Sequence, residues 1–93
     1  MNAQAQLYLN KWVKVINKGD HQPTLSEAQD FIGGYVERTE LPNGDLALVD
    51  EEGLLKDQDP NPVLFEYWGV FLVGKAIVIK ADARNRKSAN GWG

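Results

Sequence analysis

The sequence predicts an α+β domain, a single small sheet of about four strands with two helices on one face, in the order β-α-β-β-α-β, a string shared with the ferredoxin-like pattern. Three observations carry this prediction. Thr24 to Gly53 reads as a capped helix, a glycine pair and a hairpin; Asn61-Pro62 opens a second, shorter helix; and Val70 to Lys80 is an apolar, β-branched run too short to cross a membrane. A chain of 93 residues holds one modest core, without room for a second domain or a deep cleft with a lid.

Residues 1–10 form an N-terminal arm rich in Gln, Ala and Asn that either frays or leads into a strand. From Lys11 the alternation of Lys-Trp-Val-Lys-Val-Ile predicts a strand, with Val13 and Val15 on one face and Trp12, Lys14 and Ile16 on the other. Gly19 to Pro23 is turn chemistry. Thr24 caps the following backbone N–H groups and Glu27 reaches back, so a helix begins at about Leu25, sets Leu25, Ala28, Phe31 and Ile32 on one face, and ends at Gly33. Tyr35 to Leu41 and Asp45 to Asp50 are the arms of a hairpin, with Pro42 fixing one turn angle and Asn43-Gly44 supplying positive φ.

Asp50-Glu51-Glu52-Gly53 is a second turn, and Leu54-Leu55 leads into a breaker-rich loop from Lys56 to Pro62. Asn61 as cap and Pro62 at the first helical position open the second helix, with Val63, Leu64, Tyr67 and Trp68 as its buried side and Gly69 as its end. Val70 to Lys80 is the central strand, and Gly74 inside it marks a bulge or the close approach of another backbone. The domain so predicted spans residues 11–80, and residues 81–93 follow as a mobile basic tail.

Composition narrows the function classes. An apolar fraction of 43% with 25% charged residues argues against wholesale disorder, and the absence of cysteine excludes disulfides, thiolate metal sites and a cysteine nucleophile. With no leader pattern and no apolar run near spanning length, the expectation is a soluble, cytoplasmic protein without a membrane partner. Charge is unevenly spread. Residues 21–66 carry eleven carboxylates against Arg38 and Lys56, a net −9, while residues 1–20 and 67–93 carry +2 and +4. This acidic centre is a solvated surface or, as the alternative function, a mimic of DNA phosphates that inhibits a DNA-binding enzyme.

No residue set announces a reaction. His21 sits in a Gly-Asp-His-Gln-Pro turn without a nucleophile, and the acids from Asp50 to Asp59 lack calcium-loop spacing. Gly33-Gly34 leaves a helix, whereas phosphate loops enter one. Catalytic residues, metal and cofactor are therefore all expected to be none. The constellation above background is aromatic and cationic: Trp12, Lys14, Tyr35, Arg38, Tyr67 and Trp68 are the candidate ligand-binding residues, with Trp92 a further ring in the tail. Rings beside cations stack on a nucleotide base, although nucleic acid itself is disfavoured by the acidic centre.

Phe31-Ile32-Gly33-Gly34-Tyr35-Val36-Glu37, Asp50-Glu51-Glu52-Gly53, Asn61 and Val73-Gly74-Lys75-Ala76-Ile77-Val78 resemble, in that order, the small phage- and bacteria-borne family called domain of unknown function 3846. The similarity covers roughly residues 13–80, and Asp50 stands where that family is expected to show asparagine. The resemblance implies a small accessory protein made inside an infected bacterium. Joined to the missing catalytic constellation, it suggests a non-enzyme that binds and sequesters a host protein or a small nucleotide signal, countering host defence or modulating a host factor. Two apolar strand faces with two helices to cover them further predict a homo-oligomer, a symmetric dimer or a larger ring, with the ligand site near the contact.

Overall fold

The computed structural model describes residues 11–84, so the expected N-terminal arm and Trp92 lie outside the described residues. The element order is as predicted: β1 (Val13–Ile16), α1 (Leu25–Ile32), β2 (Val36–Glu40), β3 (Leu46–Asp50), α2 (Pro62–Trp68) and β4 (Ala76–Ile79), followed by a short 3-10 turn at Ala81–Ala83. The strands form one mixed sheet in the order β1-β4-β3-β2, with β1 parallel to β4 and the other neighbours antiparallel. This is an α+β fold.

The two helices do not share a face. Ala28 and Ile32 of α1 pack on Ile16, Leu46, Leu48, Ile77 and Ile79, whereas Val63 and Leu64 of α2 pack on Val13, Ala47, Val49, Ala76 and Val78. Alternate residues of β3 and β4 thus feed two separate cores, and every residue of both strands is buried. The β-α-β-β-α-β string is kept while the expected one-face arrangement is not. Apolar residues at successive positions of β4 leave neither side fit for water, so each needs its own cover.

Several element ends also move. The first strand starts at Val13, because Lys11 and Trp12 are helical. In the apolar run after Gly69 the strand begins only at Ala76. Before it, Asn61 N–H donates to Leu72 O at 2.8 Å and Gly74 N–H to Asp59 O at 2.8 Å, so this stretch pairs with the loop before α2. At Gly74 the close approach is made by a side chain: an added Cβ would run into the Gln58 amide. In the hairpin, Gly44 takes φ of 92° while Asn43 stays out of the left-handed region. Gly44 N–H donates to Leu41 O and Leu41 N–H to Asp45 O, the pattern of a type I turn closed by a left-handed glycine. Residues 81–84, expected to begin the mobile tail, are held to the fold, since Ala81 N–H donates to Asp45 and Arg84 bonds Glu40 and Gly44 O, and the remainder of the expected tail lies outside the described residues.

Both helix caps follow the sequence. Thr24 and Glu27 form the reciprocal capping box, and Gly33 closes α1 with φ of 86°. At α2, Asn61 Oδ1 accepts from Val63 N–H and Leu64 N–H, each at 3.0 Å. Asn61 does more than cap. Its Nδ2 donates to Gly74 O at 2.8 Å and to Trp12 O at 3.2 Å, which ties the start of α2 to the approaches of β4 and β1. The residue is 1% exposed, and three of these four bonds, all but the one to Trp12 O, are buried.

This double duty generates a prediction. Asp equals Asn at ordinary N-caps, but here a carboxylate would face two carbonyl oxygens. Asn61→Ala is expected to destabilise the fold by about 2–4 kcal/mol in urea unfolding, and Asn61→Asp by at least as much at pH 7. An Asn61→Asp protein as stable as wild type would refute the clamp.

Candidate binding groove

The six candidate ligand residues do not converge. Lys14 lies on β1 and Arg38 on β2, at opposite edges of the sheet. Trp12 packs on the α2-side core at the start of β1. Tyr35 stands exposed at the start of β2, beside Gly34, Glu52 and Lys56. Tyr67 and Trp68 do meet, with ring centroids 6.3 Å apart, but Tyr67 is 47% exposed and so is not on the buried side of α2. Residues chosen for their rings and charges were scattered by a sheet whose edges face apart.

Trp68 belongs instead to a buried polar hub. Its Nε1–H donates to Asp45 Oδ2 at 2.9 Å, Lys80 Nζ donates to the same oxygen at 2.9 Å, and Ala81 N–H donates to Oδ1 at 2.7 Å. Asn43 Nδ2 adds a fourth bond at 3.0 Å. Asp45 is 2% exposed. Burial pushes its pKa up, but the donors from Trp68, Lys80, Ala81 and Asn43 outweigh burial and bring it down to about 2. A second hub closes the other end of β3. Asp50 accepts from Lys56 Nζ, Gln58 Nε2 and Glu52 N–H, and these bonds overcome desolvation to lower its pKa. Gly34 leaves the room for it, since a Cβ there would lie 2.5 Å from Lys56 Nζ and 2.8 Å from Asp50 Oδ2. Both carboxylates are structural anchors.

His21 has a side chain 79% exposed and lies 3.5 Å from Glu27, a turn residue at the start of α1. Among the described residues, no group of three or more His, Asp or Glu side chains is placed to hold a metal ion, and no helix is long and apolar enough to cross a membrane.

The site that the fold does build is apolar. On the α2 side of the sheet, where α2 stops short of β2, a groove of about 460 Å³ is lined by Leu54, Leu55, Phe71, Leu72 and Val73, with Glu37 and Thr39 of β2 forming one wall. Glu37 and Thr39 stand opposite Val49 and Ala47, so they share the face of the α2-side core. Leu54, Leu55 and Phe71 are 81%, 86% and 80% exposed, and the Phe65 ring, tilted against that of Phe71 with centroids 4.7 Å apart, has about half of its surface in water. Large side chains this open, gathered in one place, are the mark of a contact surface. Sequence reading passed over this site because Leu54 and Leu55 fell in a loop and Phe71 in a supposed central strand. The signal available was two adjacent leucines after a tight turn, with no periodicity to bury them.

The Asp45 hub yields a pH prediction. A folded pKa near 2 against an unfolded value near 3.9 means stability that is present above pH 4 and lost as pH falls toward 2, about 2 kcal/mol in all. Asp45→Asn is expected to lower stability at pH 7 by about that amount, and the gap to wild type should narrow between pH 4 and pH 2 in denaturant titrations followed by Trp fluorescence. A gap constant across that window would show that the charge of Asp45 is not what the hub uses.

In comparisons with known proteins, no family model, no curated protein and no solved structure matches this chain.

Proposed function

We propose that this chain is a small accessory protein that works by binding and sequestering a host protein, through the groove between β2 and the segments carrying Leu54, Leu55 and Phe71. The observation that carries the reading is the exposure of those three large apolar side chains around a single cleft. Burying each against a partner is worth about 1.5–3 kcal/mol before the costs of association, enough for a hot-spot cluster. The wall chemistry selects the partner class. Glu37 and Glu51 line the groove and repel phosphate, so an apolar segment of a protein fits better than the nucleotide signal. With a phage-type origin, as the short-motif resemblance suggests, such a partner is a host factor or a defence component.

The DNA-mimic alternative draws less support from the geometry. Of the eleven central carboxylates, Asp45 and Asp50 are buried inside hubs and Glu40 is paired with Arg84, which breaks up the row that a basic cleft would read. Non-enzymatic action remains part of the proposal.

A double variant, Leu54→Asp with Phe71→Asp, tests it. Because both side chains are exposed, folding stability is expected to stay within about 1 kcal/mol of wild type. Affinity for the bacterial protein that wild type retains in a crosslinking pull-down should fall at least about tenfold. Equal retention by both forms would refute the groove, and nucleotide turnover by clean protein that is lost on mutating His21 or the Asp50–Glu52 cluster would refute the non-enzymatic reading.

A further inference from the structure

β2 pairs with β3 alone among the described strands, which leaves its other side open. The hydrogen bonding fixes which residues face that side. Tyr35 O accepts from Glu51 N–H and Leu41 N–H donates to Asp45 O, both at 2.8 Å, so the odd-numbered positions bond inward to β3. The backbone N–H and C=O groups of Val36, Arg38 and Glu40 therefore face outward, ready for an antiparallel strand.

Charge decides what that strand is. In a two-fold pairing of β2 with itself, directly opposite residues share a face, so the axis passes through a residue. An axis at Glu37 sets Glu37 against its own copy, and an axis at Arg38 does the same for Arg38. An axis at Thr39 opposes threonine to threonine and places Arg38 of each chain opposite Glu40 of the other, twice. In this last register Arg38 and Glu40 also exchange the backbone bonds, since both are outward-facing positions. Pro42, which has no N–H, ends the pairing. The side chains are free to comply: among the described residues Arg38 is in no ion pair, and Glu40 is 69% exposed at its side chain, with Oε1 held by Arg84 at 3.0 Å and its second oxygen available.

We propose that the partner of this edge is a second copy of the chain, joined antiparallel through β2 with Thr39 on the two-fold axis, to give one continuous eight-stranded sheet from two four-stranded ones. Edge charges commonly serve to repel other strands, but a self-complementary spacing of opposite charges about a threonine selects the identical strand instead. Glu37 and Thr39 are also the β2 wall of the groove, so the pairing sets two grooves side by side on one face. It does not depend on what the groove binds.

A charge swap tests the pairing. By native mass spectrometry at micromolar concentration, wild type is expected to be a dimer. Arg38→Glu opposes Glu to Glu at both contacts and Glu40→Arg opposes Arg to Arg, so each variant alone should dissociate about tenfold more readily or worse. Mixed together they should recover a dimer of the intermediate, heterodimeric mass, which no misfolded variant could give. Arg38→Ala, losing only an exposed side chain, should weaken the dimer by a smaller factor with the circular dichroism spectrum unchanged. A monomeric wild type, variants that dimerise as wild type does, or a mixture without the heterodimer would each overturn the proposal. The Leu54→Asp, Phe71→Asp variant should still dimerise, which separates failure of this inference from failure of the groove.

Discussion

Apart from Asp50 at the end of β3, the two inner strands carry no residue fit for solvent on either side, and the rest of the architecture is the response to that constraint. Leu46, Leu48, Ile77 and Ile79 present one apolar surface, and Ala47, Val49, Ala76 and Val78 present the other. Leaving either in water would forfeit about 25 cal/mol for each Å² exposed. With two helices available, the cost is least when each face receives one. A helix about 10 Å across covers roughly two strands spaced about 4.8 Å apart, so four strands cannot be covered to both edges. On the α2 side the uncovered remainder is the strip over β2, which is where the groove opens, whereas on the other face Val36 of β2 packs into the α1-side core.

Polar groups hold this arrangement in register. Asp45 and Asp50 bracket β3, each buried and each met by a lysine together with neutral donors. A buried charge left unpaired would be costly, so the lysine, tryptophan and amide partners are what allow each carboxylate to stay charged inside the fold. Asn61 plays the neutral counterpart on α2. Its four bonds fix the helix start to the loops at the beginning of β1 and β4, using the donor as well as the acceptor of its amide. These contacts explain why a chain with an acidic centre does not display that acidity uniformly: part of it is enclosed within the fold.

The proposed function rests on what is left outside. A small fold that must cover two sheet faces has little surface apolar area to spare, yet Leu54, Leu55 and Phe71 are held in water around one cleft. The adjoining β2 edge carries a charge spacing that suits its own copy. The groove lies on the strip of the α2-side face that α2 leaves uncovered, and the charge spacing lies along the open edge beside it, so the limit on core size and the supply of exposed surface have one origin.

Local chemistry was legible in the sequence. Thr24 with Glu27, Asn61 with Pro62, the glycines at the helix ends and Pro42-Asn43-Gly44 act through neighbours within four residues, so their structural consequences are written in the chain order itself. The α+β class and the order of elements followed from them. Periodicity in a strand buried on both faces cannot say which helix lies on which side, and so the shared helix face expected from the string became a sandwich of the sheet between α1 and α2. The scattering of Trp12, Lys14, Tyr35, Arg38, Tyr67 and Trp68, the capture of Trp68 and Lys80 by Asp45, and the exposure of Leu54, Leu55 and Phe71 were decided by contacts between residues far apart in the chain. Residue type tells what a side chain can do, but where four strands and two short helices place it depends on which surfaces must be kept from water, and that is settled only when the chain is packed.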